Sequence, residues 1–214
     1  MDNITNPKVN DYIIDTLKDN QGILKEIEDY GYENNVPIIK KDIASLIEVL
    51  IKMNKPKQII EVGTAIGYSS ILMCLASNKE AKIKTFERNP NMAKIAKENI
   101  KRAGLSDHIE VIEGDAIENL KMIDTEFDLL FLDAAKSKYM EFYELTEPYL
   151  KKGGLILSDN ILHKGMVASD DYVIRRQKTI VKYMRKYLDF LCQNDGLQTS
   201  LLPVSDGFAI SYKL

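Results

Sequence analysis

Cysteine is scarce in this chain, with two in 214 residues. Cys74 and Cys192 stand alone, without a C-x-x-C pair, which excludes a disulfide framework and a thiolate zinc site. A reducing cytoplasm is the expected setting. No run of about 18 apolar residues and no charged-then-apolar leader occurs, so neither a membrane span nor a secretion signal is expected. Charge of one sign is also lacking. A net charge of −3 excludes a protein that coats nucleic acid indiscriminately, while leaving room for a local basic patch. Internal repeats, low-complexity segments and linkers are absent too, and 214 residues suit one domain with a substantial core. With 45% apolar and 29% charged residues, that domain is soluble and globular in type.

What is present centres on the run from Ile59 to Ser70. An apolar stretch, Ile59-Ile60, meets Glu61, turns through Gly63 and Gly67, and opens into the apolar-periodic Ile71-Leu72-Met73-Cys74-Leu75. This predicts a buried strand, a glycine turn and a helix start, the first unit of a nucleotide-binding α/β domain. Glu87 follows Gly67 by twenty residues at the end of another strand-like run, where an acid accepts hydrogen bonds from ribose hydroxyls. Ala65 replaces the second glycine of a G-x-G-x-x-G fingerprint, which argues against a pyrophosphate. Glu61, two residues before Gly63, points instead to a cationic or amine-bearing ligand.

Residues 1–55 are expected to form a helical cap and 56–214 an α/β core. In the cap, Val9, Tyr12, Ile13 and Leu17 recur at helical spacing, as do Ile23, Leu24, Ile27 and Tyr30. These helices are expected to pack on the sheet and to offer a dimer face. Ile38 and Ile39, entering the helix 43–53, are candidates to close over a cofactor. From Lys57 onward strands are predicted at 57–62, 82–86, 108–113, 127–132 and 154–158. Helices are predicted between them at 67–77, 90–103, 115–122 and 137–150. Such alternation implies right-handed βαβ units and a parallel sheet covered on both faces. A helix over about 171–191 then precedes runs at 198–204 and 207–213, joined by a Ser205-Asp206-Gly207 hairpin turn.

Ligands of an open α/β sheet bind outside the carboxyl ends of the strands. The residues placed there are Glu61, Glu87, Asp115-Ala116, Asp133 and Asp159-Asn160. Asp115 is equally suited to cap a helix or, with Ala116, to border an adenine ring. If the strands ending at Leu132 and Ser158 are neighbours, Asp133, Asp159 and Asn160 bring two carboxylates and an amide oxygen to one point. Three hard oxygens with room for water or substrate suit Mg²⁺.

Two motifs carry a resemblance. The E-x-G-x-x-x-G turn resembles that of class I S-adenosylmethionine-dependent methyltransferases. Asp133-Ala134-Ala135-Lys136-x-x-Tyr139 and Asp159-Asn160-x-Leu162-x-x-Gly165 resemble the metal motifs of the cation-dependent O-methyltransferases, a family with catechol and caffeoyl-coenzyme A members. The likeness covers residues 36–214. It implies a Rossmann-like, mostly parallel seven-stranded sheet with a C-terminal antiparallel hairpin and N-terminal helices. It also implies S-adenosylmethionine and Mg²⁺ or another divalent cation as cofactors, and a homodimer. Asp133, Asp159 and Asn160 would hold the metal, and Lys136 would assist deprotonation of the acceptor hydroxyl. Ile39, Glu61, Gly63, Ser69, Glu87, Asp115, Ala116 and Asp133 are the expected cofactor contacts.

The acceptor is expected to meet residues 164–190, which carry seven basic residues against three acids. That local balance of +4 leaves −7 for the rest of the chain. Arg175, Arg176, Lys178 and Lys182 are candidate RNA contacts. With the Arg175-Arg176 pair and the Pro203-Val204-Ser205-Asp206-Gly207 ending, the chain is most similar to the bacterial tRNA 5-hydroxyuridine methyltransferases. The implied partner is a tRNA anticodon loop, with a small phenolic substrate as the alternative. Tyr139, His163, Tyr172 and Phe208 are candidate pocket walls.

Overall fold

Seven strands, β1 (Gln58–Val62), β2 (Lys82–Glu87), β3 (Ile109–Glu113), β4 (Phe127–Leu132), β5 (Leu150–Asp159), β6 (Leu197–Leu202) and β7 (Phe208–Lys213), form one sheet in the order β3-β2-β1-β4-β5-β7-β6. The first five run parallel, and β7 pairs antiparallel with both β5 and β6. The computed structural model describes residues 4–214. Successive residues of the central strands enter opposite cores, as a strand covered on both faces requires. Ile59, Leu129, Phe131, Leu155 and Leu157 lie in one core. Ile60, Val62, Leu130, Leu132 and Ile156 lie in the other.

Helices supply the covers. They are α1 (Pro7–Thr16), α2 (Ile23–Glu33), α3 (Lys41–Asn54), α4 (Tyr68–Ala76), α5 (Pro90–Arg102), α6 (Ala116–Leu120), α7 (Tyr139–Thr146) and α8 (Lys178–Gln193). The first core takes its helical residues from α2 to α5, the second from α6 to α8. Among the described residues no helix is long and apolar enough to cross a membrane. Local chemistry sets the helix starts. Asn89 caps α5 by accepting from the Asn91 N–H at 2.9 Å, with Pro90 at the first helical position. Asp128 gathers the near end of the sheet. One carboxylate oxygen accepts the Lys57 and Gln58 N–H groups at 2.8 Å, and the other accepts Lys151 Nζ at 2.8 Å.

Three expected boundaries shift. The 137–150 helix is confined to α7 between 3₁₀ turns at Lys136–Lys138 and Glu147–Tyr149, because Pro148 cannot continue it. β5 begins at Leu150 rather than 154, with a register shift against β4 near Gly153-Gly154. The 171–191 helix starts only at Lys178. Ser169 caps a separate 3₁₀ turn at Asp170–Tyr172, and Val173 and Ile174 are extended before a second turn at Arg175–Gln177. Packing differs as well, since α1 buries no residue and leaves Val9, Tyr12 and Ile13 exposed.

Candidate active site

The sheet changes direction between β1 and β4, whose carboxyl ends lie side by side: Val62 pairs with Leu132, and the Asp133 N–H donates to Val62 O at 3.0 Å. That is where an open α/β sheet leaves a crevice. Gly63 (φ +108) lies so close to the Asp133 carbonyl that a Cβ would come within 2.0 Å of its oxygen. Ala65 replaces a glycine without losing the turn, adopting φ +46 and donating its N–H to Glu87 Oε2 at 2.8 Å. Glu87 accepts the Asn89 N–H at 2.7 Å through its other oxygen. Glu87 therefore ties the glycine turn to the start of α5.

Glu61 sits below the glycine turn. It is fully buried, and its carboxylate accepts from Ser69 Oγ and Thr85 Oγ1, each at 2.5 Å, and from Ser70 Oγ. Burial pushes its carboxyl above the usual range despite these hydroxyls, which pull it down. Glu61 and Ser69 thus brace the turn from beneath, and neither lines the cavity above it. Ile39 also lies outside the cavity lining. It is buried in the first core, and the segment Asn34–Pro37 lines the cavity in its place.

That cavity, about 800 Å³, is lined by Gly63, Glu87, Asp115 and Ala116 together with Asp133, Lys136 and Asn160. Asp115 lines the cavity while capping α6 through the Ile117 N–H at 2.8 Å. Met92 and Phe142 also line it. Their apolar spacing matched ordinary helix faces, so the sequence held no signal for them.

Asp133 follows β4, Asp159 ends β5 and Asn160 follows it, and the two strands pair with Leu132 opposite Ser158. Lys136 Nζ donates to Asn160 Oδ1 at 2.9 Å. Asp133 and Asp159 both have their carboxyls raised by burial, Asp159 further by the charge of Asp133, while Lys136 pulls each down. Asn160 holds a left-handed φ of +54, which asparagine tolerates. Among the described residues no three His, Cys, Asp or Glu side chains cluster as a metal site, and the third oxygen of this set is an amide. Asp206, read in the sequence only as part of a hairpin turn, also faces this group. Burial raises its carboxyl while Lys136, His163 and Lys40 lower it.

The four expected pocket walls lie elsewhere. Tyr139 is wholly buried beneath the site, where its hydroxyl is 3.1 Å from Leu132 O and 3.0 Å from Asp159 O. Its ring meets Tyr187 edge-on at 5.6 Å. Phe208 is wholly buried in the first core. His163 Nε2 is 3.0 Å from Gln177 Oε1, and Tyr172 sits exposed on its 3₁₀ turn. Arg175, Arg176, Lys178 and Lys182 are all exposed. Lys178 and Lys182 line an open groove of about 660 Å³ with Arg185 and Lys186, outside the cavity. Arg185 is already engaged by Asp170 at 2.7 Å. The helix α8 that carries these lysines packs against the Lys136–Lys138 turn.

Residues 15–214 match the model of a family described as O-methyltransferase. The chain belongs to the O-methyltransferase family. The chain is similar to a catechol O-methyltransferase of Niastella koreensis, 28% identical over 99% of each chain. Caffeoyl-CoA O-methyltransferase 2 of Petunia hybrida is 31% identical over 84% of this chain and 78% of its own. A crystal structure from Staphylococcus aureus, provisionally assigned as a caffeoyl-CoA O-methyltransferase, superposes with a TM-score of 0.90 at 34% identity, covering 97% of this chain and all of the other. Membership makes the chain an S-adenosylmethionine-dependent O-methyltransferase of the catechol and caffeoyl-CoA type.

Proposed function

We propose that this enzyme is divalent-cation-dependent and methylates 5-hydroxyuridine at the wobble position of tRNA, giving 5-methoxyuridine, in the cytoplasm. The observation carrying the chemistry is the meeting of Asp133, Lys136, Asp159 and Asn160 at the edge of the cavity bounded by Glu87 and Asp115. The donor set suits a hard cation: a buried carboxylate, Asp159, and a half-buried one, Asp133, crowd each other, and the Lys136 ammonium already stands among them as a positive charge. A cation held by Asp133, Asp159 and Asn160 would stabilise the oxyanion form of an acceptor with two adjacent oxygens. The 5-hydroxyl and 4-carbonyl of 5-hydroxyuridine are such a pair. Lys136 assists deprotonation of the acceptor hydroxyl by holding its positive charge beside the oxyanion that forms, the proton leaving to water; Glu87 holds the ribose of the donor, and Asp115 with Ala116 borders its adenine. The fold contributes positioning and exclusion of water, since the methyl group arrives activated on a sulfonium.

The RNA acceptor draws its support from the exposed basic segment around Arg175, Arg176, Lys178 and Lys182, carried beside the Lys136 turn. The names of the curated relatives favour a second reading, a small catechol or phenol. Incubating the enzyme with labelled donor, Mg²⁺ and tRNA lacking the methoxy mark, then digesting to nucleosides, separates them. Label in 5-methoxyuridine, abolished by chelator, is expected. Comparable turnover of free catechol, with no label in RNA, would establish the small-molecule reading instead. In the RNA case, Arg175→Ala with Arg176→Ala lowers tRNA methylation about tenfold and flattens its salt dependence, leaving cofactor binding intact. Unchanged tRNA activity in that double variant removes the basic rim from the account.

A homodimer is part of the same proposal. Its support is the apolar surface of the N-terminal cap, where Val9, Tyr12 and Ile13 of α1 and Val49 and Met53 of α3 are exposed.

A further inference from the structure

The Ser205-Asp206-Gly207 turn between β6 and β7 touches two segments that its position in sequence does not foretell. On one side Ser205 Oγ lies 2.7 and 2.8 Å from the two carboxylate oxygens of Asp42 in the first turn of α3. The partners are 163 residues apart, and Ser205 is 5% exposed. On the other side the turn grips the loop after β5. The Ile161 N–H donates to Gly207 O at 3.0 Å, the Leu162 N–H to Asp206 O at 2.9 Å, and the Lys164 N–H to the Asp206 carboxylate. Leu162 packs so closely on Gly207 that a Cβ there would meet its Cγ at 2.4 Å.

Each gripped segment bears on one half of the site. Asp42, in the first turn of α3, lies two residues beyond a strap, residues 34–40, whose Asn34–Pro37 portion lines the donor cavity. The far end of the strap is held by the Val36 N–H on Gly31 O at 2.9 Å. The loop 160–165 begins with Asn160 and runs through three further left-handed residues, His163, Lys164 and Gly165. A loop with that backbone holds its shape only if its surroundings fix it. Ser205 itself has φ +48, a strain that its bond to Asp42 offsets.

We infer that Ser205 is a positioning residue that couples the strap over the donor cavity to the loop carrying Asn160, so that ordering one orders the other. Ser205 does not line the cavity; its side chain holds Asp42, while the adjoining Asp206 and Gly207 hold the 161–164 backbone. Energy passes between the two half-sites through one rigid turn, the physical requirement for coupled binding. The part that concerns the cation rests on the function proposed above.

The test uses the full chain with Ser205→Gly, which keeps the left-handed backbone and removes the hydroxyl, alongside Asp42→Ala and the double variant. S-adenosylhomocysteine and Mn²⁺ serve as probes, with dissociation constants from calorimetry and amide hydrogen exchange by mass spectrometry. Ser205→Gly is expected to speed exchange in both 34–40 and 160–165. It should weaken S-adenosylhomocysteine, and Mn²⁺ in its presence, about three- to tenfold each, the size of one net hydrogen bond. The double variant should go no further than either single one. A merely destabilised protein would melt earlier with these constants unchanged. Faster exchange confined to the strap, or Mn²⁺ affinity equal to that of the parent, overturns the coupling. If the parent chain binds no Mn²⁺, the cation proposal fails, and exchange at 160–165 alone then decides the coupling.

Discussion

Gly63 and Ala65 sit two residues apart in one turn and have opposite tolerances. Both hold positive φ, yet only Gly63 has the Asp133 carbonyl where a side chain would go. Gly63→Ala must push apart the ends of β1 and β4, which carry the two halves of the site. A loss of about 3 kcal/mol in urea unfolding is expected, with activity falling more than a hundredfold in the folded fraction. A variant of near-parental stability and activity would show that the strand ends are not locked together. Gly63 was legible because a backbone requirement leaves a glycine in the sequence. Ile39 and Phe208 were not, since an isoleucine or phenylalanine has the same periodicity whether it faces a ligand or the core. Glu61 was legible as a special position, but its partners were not: an acid after an apolar run gives no sign that it will meet two hydroxyls at the start of α4 and a third on β2.

At the scale of elements, the alternation of strands and helices was legible because the central strands are short, mostly apolar runs and most of the helices between them keep one polar face. The start of β5 and the start of α8 were not. In both places local bonds, the Gly153-Gly154 irregularity and the Ser169 cap, interrupt a pattern that side-chain periodicity alone continues. Asp128 is the clearest case of one residue serving several elements. Burial pushes its carboxyl up, but Lys151 and the Gln58 and Lys57 N–H groups outweigh that and hold it below the usual carboxylate range. A depressed folded-state pKa gives stability that is present above the unfolded value, about 3.9, and lost as pH falls through the folded one. Asp128→Ala should therefore cost about 2 kcal/mol at pH 7 in urea unfolding. The gap from the parent should narrow steadily below about pH 4. A gap that is constant with pH would mean that Asp128 acts through packing rather than charge.

At the scale of the whole molecule two surfaces stand apart from the enclosed site, and they differ in kind. The basic segment was visible in composition, because +4 within 164–190 contrasts with a chain of net −3. The cap surface was visible only as helical periodicity, which predicted burial that the single chain does not supply. α1 contributes no buried residue, so its apolar stripe adds nothing to the core of the monomer. A stripe of Val9, Tyr12 and Ile13 left in water costs solubility unless a second copy covers it, and a two-fold axis lets one patch serve both subunits. The parent should then sediment at about twice 24.4 kDa. Tyr12→Asp with Ile13→Asp should sediment as a monomer, while far-ultraviolet dichroism and cofactor affinity stay within twofold of the parent. That outcome is specific to α1, because charges on a stripe that packed within the chain would unfold it rather than divide it. A parent that sediments as a monomer at micromolar concentration removes the dimer from the proposal and leaves the α1 stripe without a partner of its own kind.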